Sequence, residues 1–452
     1  MIKKRKTAIF NKFLTGIIFI NFCIGCKATK IISQAEPIIA TKKETNPLTA
    51  DLQNAHVGVC VYDVEKKMFL ESYNSDKYFI PASNTKILTC YAALKYLGDS
   101  LVGLNFLEDD TSVSIQGTGD PSFLNKNFNN QPVFEWLKSK SNKKIYLYNS
   151  KFTTTVLGSG WSWDDYLEPY MAERSSFPLF ENMVTFSYNN GFNTIPKYFE
   201  NRISSTFDAS NNIYQFSVVR KIGMNDFSIS PGKNLSKRIT FHTESENELM
   251  SNKLIIQLIS DTLKQNIFSK PVPLNLNSNK IYSQSIDTVL KSMMVRSDNF
   301  IAEQLLLMSS NELFKEMNET KIIQYLLKND LNELPQTPKW IDGSGLSRYN
   351  LVSPEDFIFI LNKMKLEFSL QRITKIFPKG NEGTLKNMFI NNTNQVSAKS
   401  GTLSNVYCLS GYLISNSGKE FIFSIMVNHY QLKTIEVKNV IEKYLTNIIE
   451  KN

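Results

Sequence analysis

A lysine stands at the mouth of an apolar helix in the stretch PASNTKILTC, residues 81–90. Ser83 precedes Lys86 by three positions. From Thr85 onward the chain reads as the start of an apolar helix, with ILTCYAALKYLG over residues 87–98 and a stop at Gly98. Residues three apart share a helix face, so the Lys86 amine lies beside the Ser83 hydroxyl. A solvated lysine there is bland, and Ser83 is then only a helix cap. A desolvated lysine is a base, and it constrains the fold strongly. The chain must bury the amine and fold a distant second cation back towards it.

The chemistry follows from the residue types. A serine alcohol is a poor nucleophile without a base. The chain has three histidines, His56, His242 and His429, and none lies in a G-x-S-x-G or comparable setting. A neutral Lys86 can take their place. Bringing a lysine from ~10.4 to ~7 requires a few kcal/mol against the ammonium, at ~1.36 kcal/mol per unit. Burial and a nearby like charge supply it. The candidate second cation is Lys399 in AKSGTL, on a strand just before Gly401, where backbone approaches closely. The candidate proton carrier is RSDNF, with Ser297 and Asn299 opening an apolar helix. The S-x-x-K pattern also occurs at Ser141–Lys144 and Ser230–Lys233, but neither opens an apolar helix.

The start of the chain reads as an export segment. MIKKRK is a positive run, FLTGIIFINFCIG is a short apolar stretch, and Gly25 directly precedes Cys26. That pattern resembles a bacterial lipobox with Cys26 as the lipidated residue. Cys23, where the lipobox carries an aliphatic residue, leaves plain secretion to the periplasm or an uncleaved anchor open. Residues 27–50 form a polar tether. Among 452 residues, 42% are hydrophobic and 21% charged, which suits a large folded core in two or three domains. The net charge of +9 gathers partly in MIKKRK and KSKSNKK, and no nucleic-acid signature accompanies it. Cys60, Cys90 and Cys408 read as small buried hydrophobes rather than a disulfide framework. No metal or cofactor is called for.

Residues 56–73 read as a hairpin. From about 107 to 275, short strand-like pieces alternate with Gly, Asn, Ser and Pro clusters, a β-rich insertion. Its GWSWDDYL segment suggests core tryptophans and two solvated aspartates. Helix returns at 284–312 and near 319–329, and Ser353 with Pro354 marks another helix start. QVSAKSGT, YCLSGYLIS and EFIFSIMVNHY are three strands, and 434–449 is a closing helix. Asp298 and Glu303 read as structural residues, and Arg296 as a surface charge.

Taken in order, Ser83-x-x-Lys86, Ser297-Asp298-Asn299 and Lys399-Ser400-Gly401 resemble the motif set of penicillin-binding proteins and serine β-lactamases. The long interval between the first two, with GTGDPSF inside it and SDNFIAEQLL, DGSGLSRYNLVSP, EGTL and AKSGTL after it, is similar to the low-molecular-mass class C D-alanyl-D-alanine carboxypeptidase/endopeptidases. The resemblance covers about residues 50–450. It implies an α+β fold, a transpeptidase-like domain with a five-stranded antiparallel sheet flanked by helices, split by the β-rich insertion. The expected parts are 51–106 and 276–452 for that domain and 107–275 for the insertion. The resemblance also implies roles. Ser83 attacks the D-alanyl carbonyl, Lys86 takes its proton, Ser297 relays a proton and Asn299 orients Lys86 and the substrate. Lys399 keeps Lys86 neutral and, with Ser400, holds the terminal carboxylate. The N–H groups of Ser83 and Thr402, the latter next to Gly401, form an oxyanion hole. The implied partners are peptidoglycan stem peptides, β-lactams as inhibitors and a membrane through the lipid anchor. A catalytically silent wall-binding protein, or a β-lactamase or esterase, remains an alternative on the same motifs.

Overall fold

The computed structural model describes residues 46–48, 52, 54–188, 192–205, 217–230, 236–243, 248–273 and 278–452. The export segment, Cys26 and most of the 27–50 tether lie outside the described residues.

The hairpin expected at 56–73 is present as β1 (His56–Asp63) and β2 (Met68–Tyr73). A 3-10 turn over Ala82–Thr85 runs into α1 (Lys86–Tyr96), and Gly98 beyond it has φ +68°, a left-handed conformation that glycine takes without strain. Next come β3 (Ser100–Glu108), β4 (Ser112–Gly117), α2 (Pro132–Lys138) and β5 (Lys144–Asn149). Six short strands follow: β6 (Met183–Tyr188), β7 (Phe192–Ile195), β8 (Ile203–Ser205), β9 (Ser217–Arg220), β10 (Phe227–Ser230) and β11 (Ser236–Thr240). Then come α3 (Glu248–Leu263), β12 (Ile267–Pro273) and β13 (Asn279–Ser285). The helical return is α4 (Ile286–Arg296), α5 (Asn299–Phe314), α6 (Glu319–Lys328), α7 (Pro354–Phe368) and α8 (Leu370–Ile376). The chain closes with β14 (Val396–Leu403), β15 (Val406–Ile414), β16 (Glu420–Asn428) and α9 (Thr434–Lys451).

Two five-stranded sheets organise these elements. The first has the order β14-β15-β16-β1-β2 and is antiparallel throughout. The start of the chain pairs with its end, His56 opposite Asn428. One face of this sheet offers Cys60, Cys408 and Met426 to α1, α5 and α7, where Leu88, Ile301 and Phe357 are fully buried. The other face sets Val59 and Ile425 against Val437, Ile441 and Leu445 of α9. Each such side chain contributes about 2 kcal/mol relative to exposure. The three cysteines are free and buried, as their apolar settings suggest.

The second sheet, in the order β12-β5-β4-β3-β13, is mixed, with β12, β5 and β4 parallel and β4, β3 and β13 antiparallel. Leu104, Ile115 and Ile145 pack there against Ile255, Leu258 and Ile259 of α3. Two small sheets, β11-β6-β7 and β8-β10-β9, complete the insertion. The large sheet starts before residue 107 and ends after residue 275. β3 and β13, which extend past those bounds, are fixed by their pairing with each other, which composition does not register.

Candidate active site

Three segments meet at the mouth of α1. The 3-10 turn presents Ser83, partly exposed, while Lys86 behind it is fully buried. Between α4 and α5 the chain reverses at Ser297, which has φ 56° and ψ 40° and ends α4. Asp298 then caps α5 by accepting from the N–H of Ile301 at 3.0 Å. This reversal aims the Ser297 hydroxyl and the Asn299 amide at the same place. The third segment is β14, an edge strand whose Lys399, Ser400 and Gly401 pair with Ser410, Leu409 and Cys408 of β15.

The Lys86 amine has three partners. Its Nζ donates to Ser83 Oγ at 3.0 Å, to Asn299 Oδ1 at 2.6 Å and to the Ser344 carbonyl at 2.7 Å. Two of these oxygens can only accept; the hydroxyl can also donate. A neutral amine, with two N–H bonds and one lone pair, therefore keeps both carbonyls and receives the Ser83 proton without losing a contact. Burial pulls the Lys86 pKa down to about 8, against the opposing charges of Asp342, Asp298 and Glu303. Lys399 is also fully buried; its Nζ donates to Ser297 Oγ at 2.9 Å and to the Ser400 carbonyl at 2.5 Å. Its pKa lies well below the ordinary lysine value, through burial first and the charge of Lys86 second. Burial, not the second cation, is thus the main force on Lys86, and the repulsion between the two lysines is felt at Lys399. The sequence reading named burial and a like charge together, with Lys399 as that charge.

Two glycines let these segments touch. A Cβ on Gly401 would lie 2.5 Å from the Pro81 carbonyl and 2.9 Å from the N–H nitrogens of Ser83 and Asn84. Gly345, at φ +80°, sits so close to the Ala82 carbonyl that a Cβ would come within 1.8 Å. The edge strand and the DGSG loop are therefore both pressed against the 3-10 turn. Thr384 of the EGTL segment accepts the Ser400 hydroxyl at 2.7 Å.

The insertion reaches this site from outside. The Tyr170 carbonyl accepts from Asn299 Nδ2 at 2.9 Å, which turns Asn299 Oδ1 towards Lys86. Trp161 Nε1 donates to Asp342 Oδ2 at 2.8 Å, and Asp342 holds the N–H groups of Gly345 and Ser347. Arg174, fully buried, pairs with Glu303 at 3.3 Å, and Glu303 accepts the Ser344 N–H at 2.7 Å. Burial and the Asp342 charge push the Glu303 carboxyl up to about 7, against the pull of Arg174.

Ser83, Lys86, Ser297, Asn299, Lys399, Ser400 and Gly401 are thus brought together, and the exposed Thr402 follows them on the same edge strand. Cys26 lies outside the described residues. Arg296 is exposed, and its Nη1 donates to Asn127. The tryptophans are not the core pair expected: Trp163 is 76% exposed and Trp161 binds Asp342. Sequence reasoning did not find the Ser344 carbonyl, Thr384, Trp161 or Arg174. Ser344 and Thr384 lie in turn-rich segments already singled out as DGSGL and EGTL, while Arg174 carries no local signal.

The constellation is that of a serine nucleophile served by a lysine, suited to acyl transfer through a serine ester. The D-Ala-D-Ala carboxypeptidase 3 (S13) family matches residues 44–448, and the chain belongs to that family. It is 22% identical over 429 residues to the D-alanyl-D-alanine carboxypeptidase DacB of Haemophilus influenzae, covering 85% of this chain and 88% of that one. It is 25% identical over 213 residues to a D-alanyl-D-alanine endopeptidase of the same organism, covering 46% of this chain and 66% of the other. The crystal structure of penicillin binding protein 4 (dacB) from H. influenzae superposes with a TM-score of 0.68 at 21% identity, covering 89% of this chain and 96% of that one.

Proposed function

We propose that this chain is a penicillin-binding serine hydrolase of peptidoglycan, a D-alanyl-D-alanine carboxypeptidase and endopeptidase working through an acyl-enzyme at Ser83. One observation carries the reading: the Ser83 hydroxyl lies 3.0 Å from a buried amine whose other partners are both carbonyl oxygens. In the first step Lys86 Nζ takes the Ser83 proton as Oγ bonds to the D-alanyl carbonyl carbon. The carbonyl oxygen becomes an oxyanion held by the N–H groups of Ser83 and Thr402, a donor pair worth roughly 3–4 kcal/mol per member lost. Ser297, bonded to Lys399, passes a proton to the departing D-alanine nitrogen as the C–N bond breaks and takes over from Lys86 the proton that came from Ser83, which returns Lys86 to the free amine. Water then attacks the ester: Lys86, again a free amine, takes the water's proton and returns it to Ser83 Oγ as the ester C–O bond breaks, and the peptide leaves with a new carboxylate. Lys399 and the Ser400 hydroxyl hold the terminal carboxylate, and Asn299 orients Lys86 and the substrate amide. Terminal trimming and crosslink cleavage present the same D-alanyl carbonyl, so one site serves both.

The linked set of side chains favours catalysis over a silent wall-binding role. The enzyme acts on the periplasmic side of the membrane, and Cys26 is its lipid attachment point; among the described residues no helix is long and apolar enough to cross a membrane. Muropeptides incubated with the purified protein test the reading by mass spectrometry. The expected products are stem peptides shorter by one alanine and monomers from crosslinked dimers; rapid, sustained turnover of a chromogenic cephalosporin with no muropeptide change would make it a β-lactamase instead.

A further inference from the structure

The end of α5 remote from Asn299 turns Met308, Asn311, Glu312 and Lys315 to one side, the spacing of a single helix face. Facing it is one side of the second sheet. There Lys280 of β13, Asn105 of β3 and Gln116 of β4 stand side by side in register. Their chain neighbours Leu104 and Ile115 point the other way, into the core beneath α3. Between helix and sheet lies an open cavity of about 640 Å³. A helix and a sheet that face each other usually fill the space with apolar side chains. Here the amides of Asn105, Gln116 and Asn311 share the lining with Leu97, Val102 and Met308.

Its charges cancel. Glu312 lies 3.5 Å from Lys280 and 4.0 Å from Lys315. The side-chain amides of Asn105 and Asn311 have no hydrogen-bond partner among the described residues. Tyr282, 55% exposed, adds a ring at the rim. A polyanion needs unpaired cations, and each described lysine of this cleft, Lys151 with Glu316 included, has a carboxylate within 4.0 Å. Paired charges likewise offer little to a charged peptide. Unpaired amides beside an exposed ring suit a neutral ligand dense in hydroxyl and acetamido groups, whose flat C–H face stacks on an aromatic ring. Clefts between two structural units are common ligand sites.

We propose that this cleft binds the N-acetylated glycan strand of the wall polymer, as an anchoring site separate from the catalytic one. The choice of glycan rests on the peptidoglycan reading above. The cleft opens at the end of α1 opposite Ser83, about 15 Å of helix away. It would hold the enzyme on its polymer without touching the scissile bond.

The test uses the full chain, tetra-N-acetylchitotetraose and peptide-free glycan strands as probes, and titration calorimetry. Tyr282→Ala with Asn311→Ala removes the ring and one amide from exposed or half-buried positions. Asn311→Trp, from the same helix face, fills the cleft. The expectation is binding by the wild type, at least tenfold weaker binding in both variants, and unchanged penicillin acylation, which reports that they fold. Activity on intact sacculi should fall while activity on a short soluble D-Ala-D-Ala peptide stays the same. No glycan binding by the wild type, or equal binding by the variants, overturns the proposal, as does capture of a stem peptide in the cleft in place of glycan. Absence of penicillin acylation in the wild type would strike the catalytic reading and leave the glycan titration to stand by itself.

Discussion

Lys86 is pulled in two directions. Asp342, Asp298 and Glu303 favour its ammonium, and burial favours the free amine; burial wins and leaves the group near 8. Acylation needs the free amine, so its rate should climb with pH, about tenfold per unit below 8, and level off above. Asp298→Asn removes one opposing charge and keeps the helix cap, since asparagine caps as well as aspartate. The rising limb of the penicillin acylation profile should move to lower pH in that variant. An unmoved limb would mean that the Asp298 charge does not reach Lys86. The serine–lysine spacing and the need for burial were legible in the sequence. The source of the amine's neutrality was not, because burial is a property of the assembled fold. The sequence names burial and a like charge together without ranking them, and the structure puts desolvation first.

At the scale of elements, the site depends on how closely an edge strand approaches a 3-10 turn. Gly401 permits that approach by having no Cβ. Gly401→Ala should drive β14 away from the Ser83 N–H and cut acylation by about 10²-fold or more, the usual effect of losing an oxyanion donor. The first sheet should survive, because the three atoms nearest to the added methyl all belong to the turn. Stopped-flow acylation and thermal melting separate the two effects; a normal rate would argue that this contact does not shape the site. The hairpin, the strands around AKSGTL and the Ser353 cap, which accepts the Asp356 N–H at 3.0 Å, all follow from period and turn chemistry. α3 was missed within the insertion although Leu254, Ile255, Leu258 and Ile259 recur at helical spacing. The surrounding short strands masked a pattern that was present.

Across the whole molecule, the insertion supports the catalytic groups as well as interrupting the domain. Arg174 comes from the insertion and meets Glu303 of α5 with both side chains essentially fully buried. Glu303 in turn holds the loop whose Ser344 carbonyl accepts from Lys86. Arg174→Ala leaves a buried carboxylate without that partner, a loss of about 3 kcal/mol or more. Urea unfolding should show it, and acylation should slow in the fraction that remains folded. A variant as stable as the wild type would mean that the insertion and the helical domain are energetically independent. The split of the domain was legible from the distance between motifs. The ties across it join residues more than a hundred positions apart and leave no local mark in the sequence.

The most direct trial of the account is peptide-mapped mass spectrometry of wild-type protein and Lys86→Met after brief exposure to benzylpenicillin. The expected result is an adduct of the intact drug on the peptide carrying Ser83 in the wild type, formed about 10²–10⁴-fold more slowly in the variant. An adduct on another residue, or a variant that acylates as fast as the wild type, would contradict it.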